Sequence, residues 1–320
     1  MNKTISLKND KGKKSNSIFN GVLYELKKNW RLYLLVLIPL AYLIVFKYLP
    51  MYGVQIAFRD YTPARTFSTS PFVGLKHFNR FFTAPAFWSI IRNTISISLY
   101  SFLMFPLPIV LALMLNYMPS QKFKKTVQMV SYAPHFISTV VMVGMILQFL
   151  DSRNGLINLI LSVFGADPIN FMALPGWFDH IYVWSGVWQG IGYSSIIYIA
   201  ALSGVSPELH EAAIVDGASI LKRMWHIDIP GILPTITILL IMQSGKILSV
   251  GYEKIYLMQN NLNTSVSEVI STYVYKQGIN SNVPQYSYAT AIGLFISVIN
   301  VCILVTVNFI TKKLSGSSLW

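Results

Sequence analysis

Long stretches of the chain contain almost no charged side chains, and this feature constrains the fold more than any other. Lipid offers no hydrogen-bond partners, so a segment that crosses a bilayer must pair its own backbone groups, as a helix does. About 20 mostly apolar residues suffice for a helix to cross a hydrocarbon core about 30 Å thick. Six stretches meet this requirement: 32–49, 93–117, 126–150, 181–205, 231–250 and 289–311. The sequence therefore predicts an all-α polytopic membrane protein with six transmembrane helices.

The composition supports this fold class. Hydrophobic residues make up 53% of the 320 residues and charged residues only 12%, whereas soluble domains carry about 25% charged residues. Within the six stretches the only charges are Lys47 and Lys246, and no Asp or Glu occurs in them.

The distribution of Lys and Arg predicts the orientation. If both termini lie in the cytoplasm, the inner segments hold fifteen of these residues and the longer outer segments hold seven. Cytoplasmic segments are generally the more basic ones, so we predict an N-in, C-in topology. Residues 1–31 are then a cytoplasmic tail with an interfacial helix over 18–30, residues 32–312 form the six-span domain, and 313–320 form a second tail. The short apolar segment 155–164 is predicted to lie flat at the outer interface.

Several function classes lack the motifs that they need. The net charge of +13 comes from residues that flank the apolar stretches, without the basic face of a nucleic-acid reader. The five histidines show no metal-ligand spacing, and we interpret His135 as a packing or kink residue and Cys302 as a packing residue. There is no phosphate-binding GxxxxGK[ST] loop, GxSxG elbow or close carboxylate pair. We therefore expect neither an enzyme nor a cofactor in this chain.

A polar loop, 206–230, interrupts the apolar chain on the predicted inner side. Ser206 suits the N-cap of a helix, Pro207 its first position and Glu208 its positive end, and Gly217 suits its C-terminal stop. Such a helix of about ten residues is marginal alone in water. Leu209, Ala212, Ala213 and Asp216 share one face, on which the two alanines permit close approach by a partner.

The loop resembles the EAA motif of the permease subunits of bacterial ABC importers. The match consists of Glu211-Ala212-Ala213, three residues, Gly217, nine residues and then Ile227-Asp228-Ile229-Pro230, in which Ile229 stands where the family has Leu. The stretches YLPMYGVQIAFRDYTP, VGLKHFNRFF, APHFISTVVMVGMILQFL and VISTYVYKQG are similar to the oligosaccharide-import branch, including the maltose-type and Gram-positive lipoprotein-linked permeases.

The resemblance implies a type I ABC importer permease fold and a set of partners. These would be a second homologous permease, a cytoplasmic ATPase dimer that binds ATP and Mg²⁺, an extracellular sugar-binding lipoprotein and an oligosaccharide, in the plasma membrane of a Gram-positive bacterium. The implied ATPase-coupling residues are Glu211, Ala212, Ala213, Asp216, Gly217 and Pro230. We expect Asp216 to pair with Lys222 or Arg223.

Polar and aromatic residues inside the spans are candidates for the substrate path, because sugars stack on aromatic rings and hydrogen-bond to amides. They are Gln148, Trp184, Trp188, Gln189, Tyr193, Gln243 and Lys246. The aromatic residues could instead be interfacial anchors.

Lys246 is an ionisable group within a predicted span, three residues after Gln243 and so on the same helix face. Its partner could be Asp151, Glu253, a carboxylate on the sugar or a neutral sugar, or the side chain could simply snorkel. A secondary transporter or channel that works without an ATPase is the alternative function. It would be expected to carry intramembrane acids and inverted repeats, which this sequence lacks.

Overall fold

The computed structural model describes residues 27–316 and 318–320. The chain divides into two compact units, one up to Gln55 and one from Ile56 onward. Most of the predicted interfacial helix, residues 18–26, lies outside the described residues. Among those described, the structure is helical without β-strands, apart from an isolated antiparallel bridge between Arg59 and Phe72.

The first unit contains helix α1, Trp30–Leu43, which continues through a π-turn at Ile44–Tyr48 and a short turn at Leu49–Met51. The π-turn ends two residues before Pro50. Proline has no N–H, and its ring collides with the carbonyl four residues earlier, so a wider turn relieves the strain. The predicted first span, 32–49, is thus a helix with a local widening.

The second unit contains fourteen further helices within the described residues. They are α2 Lys76–Phe82, α3 Phe87–Leu103, α4 Leu107–Asn116, α5 Gln121–Tyr132, α6 Thr139–Phe149, α7 Leu156–Val163, α8 Pro175–Leu202, α9 Pro207–Val215, α10 Ile220–Arg223, α11 Ile229–Ser244, α12 Tyr252–Met258, α13 Thr264–Ser267, α14 Ile270–Gly278 and α15 Tyr286–Ser315.

Four helical segments are long and apolar enough to cross a membrane, or five if one bent pair is a single span. They are Trp30–Phe58, Phe87–Asn116, Ile220–Ser244 and Tyr286–Lys313, and the bent pair is Gln121–Phe136 with Thr139–Phe149. The predicted span 181–205 falls in α8, which is 28 residues long and so about 42 Å at 1.5 Å per residue. Its Gly, Ser and Gln residues make α8 less apolar than the others. Six spans and their orientation therefore remain predictions.

The predicted third span, 126–150, is not one straight helix. It is bent by 100° between α5 and α6. Pro134 is the second residue of a 3-10 turn over Ala133–Phe136, Ile137 is extended, and Ser138 caps α6 by accepting a hydrogen bond from the Val141 N–H. A proline followed by a new N-cap ends one helix and starts another.

Helix α8 is the central element of the second unit. Its Phe178 packs in one core cluster with Ile97 of α3 and Ile255 of α12. Its Tyr198 and Leu202 pack in another cluster with residues of α4 and α11. The helix therefore connects both ends of the packed bundle.

A glycine lets α8 approach α5 closely. A Cβ atom at Gly192 would overlap the backbone carbonyl of Ser131, whereas a Cβ at Gly190, half a turn earlier, would meet nothing within 4 Å. Small residues at such crossings are typical of helix packing in membranes.

We predict that Gly192→Ala destabilises the protein and Gly190→Ala does not. Overpacking costs about 1–3 kcal/mol, whereas alanine in open space improves helix propensity by up to about 1 kcal/mol. Thermal melting of the two detergent-purified variants, followed by size-exclusion chromatography, compares them. Equal melting temperatures would show that the α5–α8 contact is not tight.

The predicted N-in, C-in topology can be tested by cysteine labelling. In a Cys302→Ser background, a membrane-impermeant thiol reagent should label Ser68→Cys in intact cells and should label Val215→Cys only after lysis. Both positions are exposed in the chain itself, so burial within the chain does not explain a difference. Labelling of Val215→Cys in intact cells would contradict the N-in orientation.

Candidate coupling loop and translocation cavity

The polar loop forms the helix that its sequence predicts. Ser206 is extended and its hydroxyl accepts a hydrogen bond from the Glu208 N–H at 3.3 Å, and Pro207 is the first residue of α9. The helix ends at Val215, and Gly217, two residues later, has a left-handed φ of +73°. The N–H of Ala218 donates to the carbonyl of Ala213 at 2.8 Å, which closes the C-terminus. The predicted cap, first position and stop are confirmed.

Helix α9 buries none of its residues within the chain. Leu209 and Ile214 are more than half exposed and Val215 is 87% exposed, while Glu211 and Ala212 are exposed beside them. An isolated helix of nine residues needs packing partners for stability. Its open face therefore fits the predicted role as a docking surface.

The expected ion pair of Asp216 is not formed. Within the described residues, Asp216 pairs with neither Lys222 nor Arg223. Asp216 is the C-cap residue of α9, and its N–H donates to the carbonyl of Ala212. The guanidinium of Arg223 instead lies 5.3 Å from the ring centre of Tyr117.

A fully buried carboxylate, Asp228, connects α9 to two other helices. The hydroxyl of Tyr117, at the end of α4, donates to Asp228 Oδ2 at 2.7 Å. His210 Nε2, on α9, lies 3.3 Å from Asp228 Oδ1, an ionic contact when the imidazole is protonated but without hydrogen-bond geometry. Asp228 itself directly precedes α11. We call Tyr117, His210 and Asp228 the Asp228 junction.

Pro230 explains the local shape of the junction. A π-turn over Met224–Asp228 ends two residues before it, as the π-turn in α1 does before Pro50. The helix from Ile220 to Ser244 is continuous through this widening. Pro230 thus shapes the start of α11, while the residues of α9 form the exposed surface.

A cavity of about 590 Å³ lies among α3, α4, α8 and α11. Four of the predicted path residues line it, namely Gln189, Tyr193, Gln243 and Lys246. Gln148, Trp184 and Trp188 do not line this cavity and are exposed elsewhere. Trp184 donates its indole N–H to the Tyr100 hydroxyl at 2.9 Å.

The break in the third span supports one wall of the cavity. Gln189 Nε2 donates to the carbonyl of Ile137 at 2.8 Å. Tyr193 stacks on His135, with ring centres 3.8 Å apart and planes 2° from parallel. His135 is therefore a packing residue at a kink, as its sequence context predicts.

The expectation that Lys246 lies inside a helix is wrong. Helix α11 ends at Ser244, and Lys246 lies in the turn that follows, where its N–H donates to the carbonyl of Gln243. Lys246 and Gln243 nevertheless line the same cavity.

A second cavity lysine, Lys254 on α12, was missed by the sequence reasoning. Its Nζ donates to the backbone carbonyl of Tyr182 at 2.7 Å and lies 4.5 Å from the centre of the Tyr182 ring. Burial lowers the pKa of Lys254 to about 8, because desolvation penalises the ammonium form. The only sequence signal for Lys254 as a cavity residue is that it lies four residues after the apolar stretch 231–250.

Within the described part of the chain, no group of three or more His, Cys, Asp or Glu residues could hold a metal ion. The cavity instead offers hydroxyls, amides, aromatic rings and two ammonium groups.

Comparison with known proteins identifies the class. Residues 104–316 match the family described as the binding-protein-dependent transport system inner membrane component, and the chain belongs to this family. It is a membrane-embedded transport permease and not an enzyme.

Particular relatives cover nearly the whole chain. It is 40% identical over 296 residues to protein LplB of Bacillus subtilis, with 92% of each chain covered. It is 40% identical over 300 residues to the polygalacturonan/rhamnogalacturonan transport system permease protein YteP of the same organism, with 93% of each covered. A chain of a bacterial alginate ABC transporter, solved with an alginate pentasaccharide-bound periplasmic protein, superposes with a TM-score of 0.85 at 36% identity, covering 92% of this chain and 99% of that one.

We predict that Asp228→Ala lowers the stability of the permease strongly and that Asp216→Ala does not. Asp228→Ala removes the acceptor of the Tyr117 hydroxyl at a fully buried position, and a polar group left without its partner costs about 1–3 kcal/mol, whereas Asp216 is exposed and forms no ion pair within the described residues. Tyr117→Phe should cost about 1.5–3 kcal/mol, since it removes one hydrogen bond to a charged group.

The measurement is thermal melting in detergent together with the amount of ATPase that copurifies. If Asp216→Ala and Asp228→Ala melt at the same temperature and Asp228→Ala retains the ATPase, the Asp228 junction does not hold the loop in place.

Proposed function

We propose that this chain is one permease subunit of an ATP-driven importer that passes an oligosaccharide from an extracellular binding protein across the plasma membrane of a bacterium, specifically a Gram-positive one. It works with a second homologous permease and with a cytoplasmic ATPase dimer that binds ATP and Mg²⁺. The observation that carries the proposal is the connection of two sites. The exposed helix α9 is joined through Asp228 to α11, and α11 lines the cavity.

The cavity chemistry suits a sugar. Tyr193, which is half exposed, offers the ring face that His135 does not cover, and Gln189 and Gln243 offer amides. Sugars present apolar faces that pack on aromatic rings and hydroxyls that pair with amides. Relatives are described as transporters of polygalacturonan/rhamnogalacturonan and of arabinooligosaccharides, which supports an oligosaccharide.

The coupling would be mechanical. The ATPase dimer closes when it binds ATP and carries the docked helix α9 with it. Because the buried Asp228 contacts both Tyr117 and His210, movement of α9 is passed to the ends of α4 and α11, and so to the cavity. A ligand on one subunit thereby biases a two-state element in another.

Nothing in the structure favours the alternative, a transporter or channel that works without an ATPase. A protein that works without an ATPase has no ATPase partner to cover the exposed, capped helix α9 between two spans. The direct test is uptake into vesicles that contain this chain, its partner permease and the ATPase, with the binding protein outside. ATP-dependent accumulation of oligosaccharide is expected, and accumulation without ATP or the ATPase would contradict the proposal.

We predict that Glu211→Lys and Ala213→Asp weaken binding of the ATPase about 30-fold or more. Each places an unsuitable charge on the docking face, and loss of a desolvated charge contact at an interface costs about 2–5 kcal/mol. Pull-down of the ATPase and sugar-stimulated ATP hydrolysis are the two measurements.

Glu253→Lys is the matched control, because it makes the same charge reversal at an exposed residue of the predicted outer side. It should leave ATPase binding unchanged. Normal binding and hydrolysis in both loop variants would exclude a docking role for α9.

A further inference from the structure

The charged groups of the cavity are all of one sign. Lys246 and Lys254 both line it, and none of the described residues that line it is Asp or Glu. Neither lysine forms an ion pair within the described part of the chain. The cavity therefore holds two cations whose charges are not neutralised by its own walls.

Lys254 is the more strongly constrained of the two. Its ammonium group has one hydrogen-bond acceptor, the carbonyl of Tyr182, and it lies beside the aromatic ring of the same residue. Three donors are available on an ammonium group, so two remain for a ligand. Burial lowers the pKa of Lys254, because the ammonium group lies away from water and no carboxylate pairs with it within the described residues.

Lys246 reaches the cavity from a different element. It lies in the turn after α11, is exposed, and has Gln243 beside it on the cavity wall. Lys254 comes from α12 and approaches α8, where its Nζ would lie 3.4 Å from a Cβ at Gly186. Two separate elements thus each place one ammonium group on the same cavity.

An anionic ligand accounts for this arrangement better than a neutral one. A carboxylate that enters the cavity offsets the desolvation of the Lys254 ammonium group and gains charge-assisted hydrogen bonds, which are roughly twice as strong as neutral ones. Neutral sugar hydroxyls would be bound adequately by the amides and rings alone, without two uncompensated charges.

We propose that Lys246 and Lys254 are specificity-determining residues that bind the carboxylates of a uronate-containing oligosaccharide in the cavity. The inference rests on the proposed function, since it names the substrate class of the same cavity. Tyr193 then binds a sugar ring face, and the amides of Gln189 and Gln243 bind hydroxyls.

The test compares acidic and neutral forms of the same sugars. Vesicles contain the complete transporter, and the probes are trisaccharides of galacturonate, mannuronate and guluronate, their methyl esters, and neutral maltotriose and arabinotriose. Uptake is divided by the fraction of binding protein loaded with each probe, which is measured separately, so that the specificity of the binding protein is removed.

The variants are Lys246→Met, Lys254→Met and Lys254→Arg, with Lys76→Met as control. Lys76 is exposed, pairs with Asp60 and lies outside the cavity. Because a hydrogen bond to a charged group contributes about 1.5–3 kcal/mol, each Met variant should lower the ratio of acidic to esterified uptake about tenfold or more. Lys254→Arg should retain most of the ratio, and Lys76→Met all of it.

The outcomes separate the two proposals. Failure of every probe to accumulate with ATP contradicts the proposed function itself. Import of neutral probes but not of uronates, or an unchanged ratio in the Lys246→Met and Lys254→Met variants, overturns only the inference. A ratio lowered equally by Lys76→Met also overturns it, because the effect would then be one of overall charge.

Discussion

The rest of the structure depends on one buried carboxylate, that of Asp228. It is fully buried, and removing a charge from water is costly unless the charge is paired. Its partners come from the end of α4, through Tyr117, and from α9, through His210. The carboxylate therefore links a short helix that has no buried residues of its own to the ends of α4 and α11. A helix held in this way can pass a displacement to the bundle, which a helix on a loose loop cannot.

The bundle receives that displacement at the wall of the cavity. Helix α11 begins directly after Asp228 and lines the cavity near its other end, while α8 packs against α11 and forms the opposite side. The proline-associated π-turn at the start of α11 keeps this helix continuous. The docking helix α9 thus contacts the start of α11 through Asp228, and the residues of α11 that line the cavity lie near its other end.

The sequence predicted those features that depend on local chemistry. Apolar length predicted the helices, and Ser206, Pro207 and Gly217 predicted the ends of α9, because caps and turns are set by neighbouring residues. It failed where distant segments meet. The end of α11 before Lys246 and the roles of Tyr117 and Lys254 depend on packing between helices far apart in the chain.

The most direct test of this account is the distance between spin labels at Val215 on α9 and Leu233 on α11, in a Cys302→Ser background of the complete transporter. Pulsed electron paramagnetic resonance would record it without nucleotide and with ATP bound. If the Asp228 junction joins the docking helix to the cavity wall, the distance distribution is narrow and the same in both states, and it broadens in Asp228→Ala. A distribution that shifts or broadens with ATP while Asp228 is intact would contradict the account, because α9 would then move independently of α11.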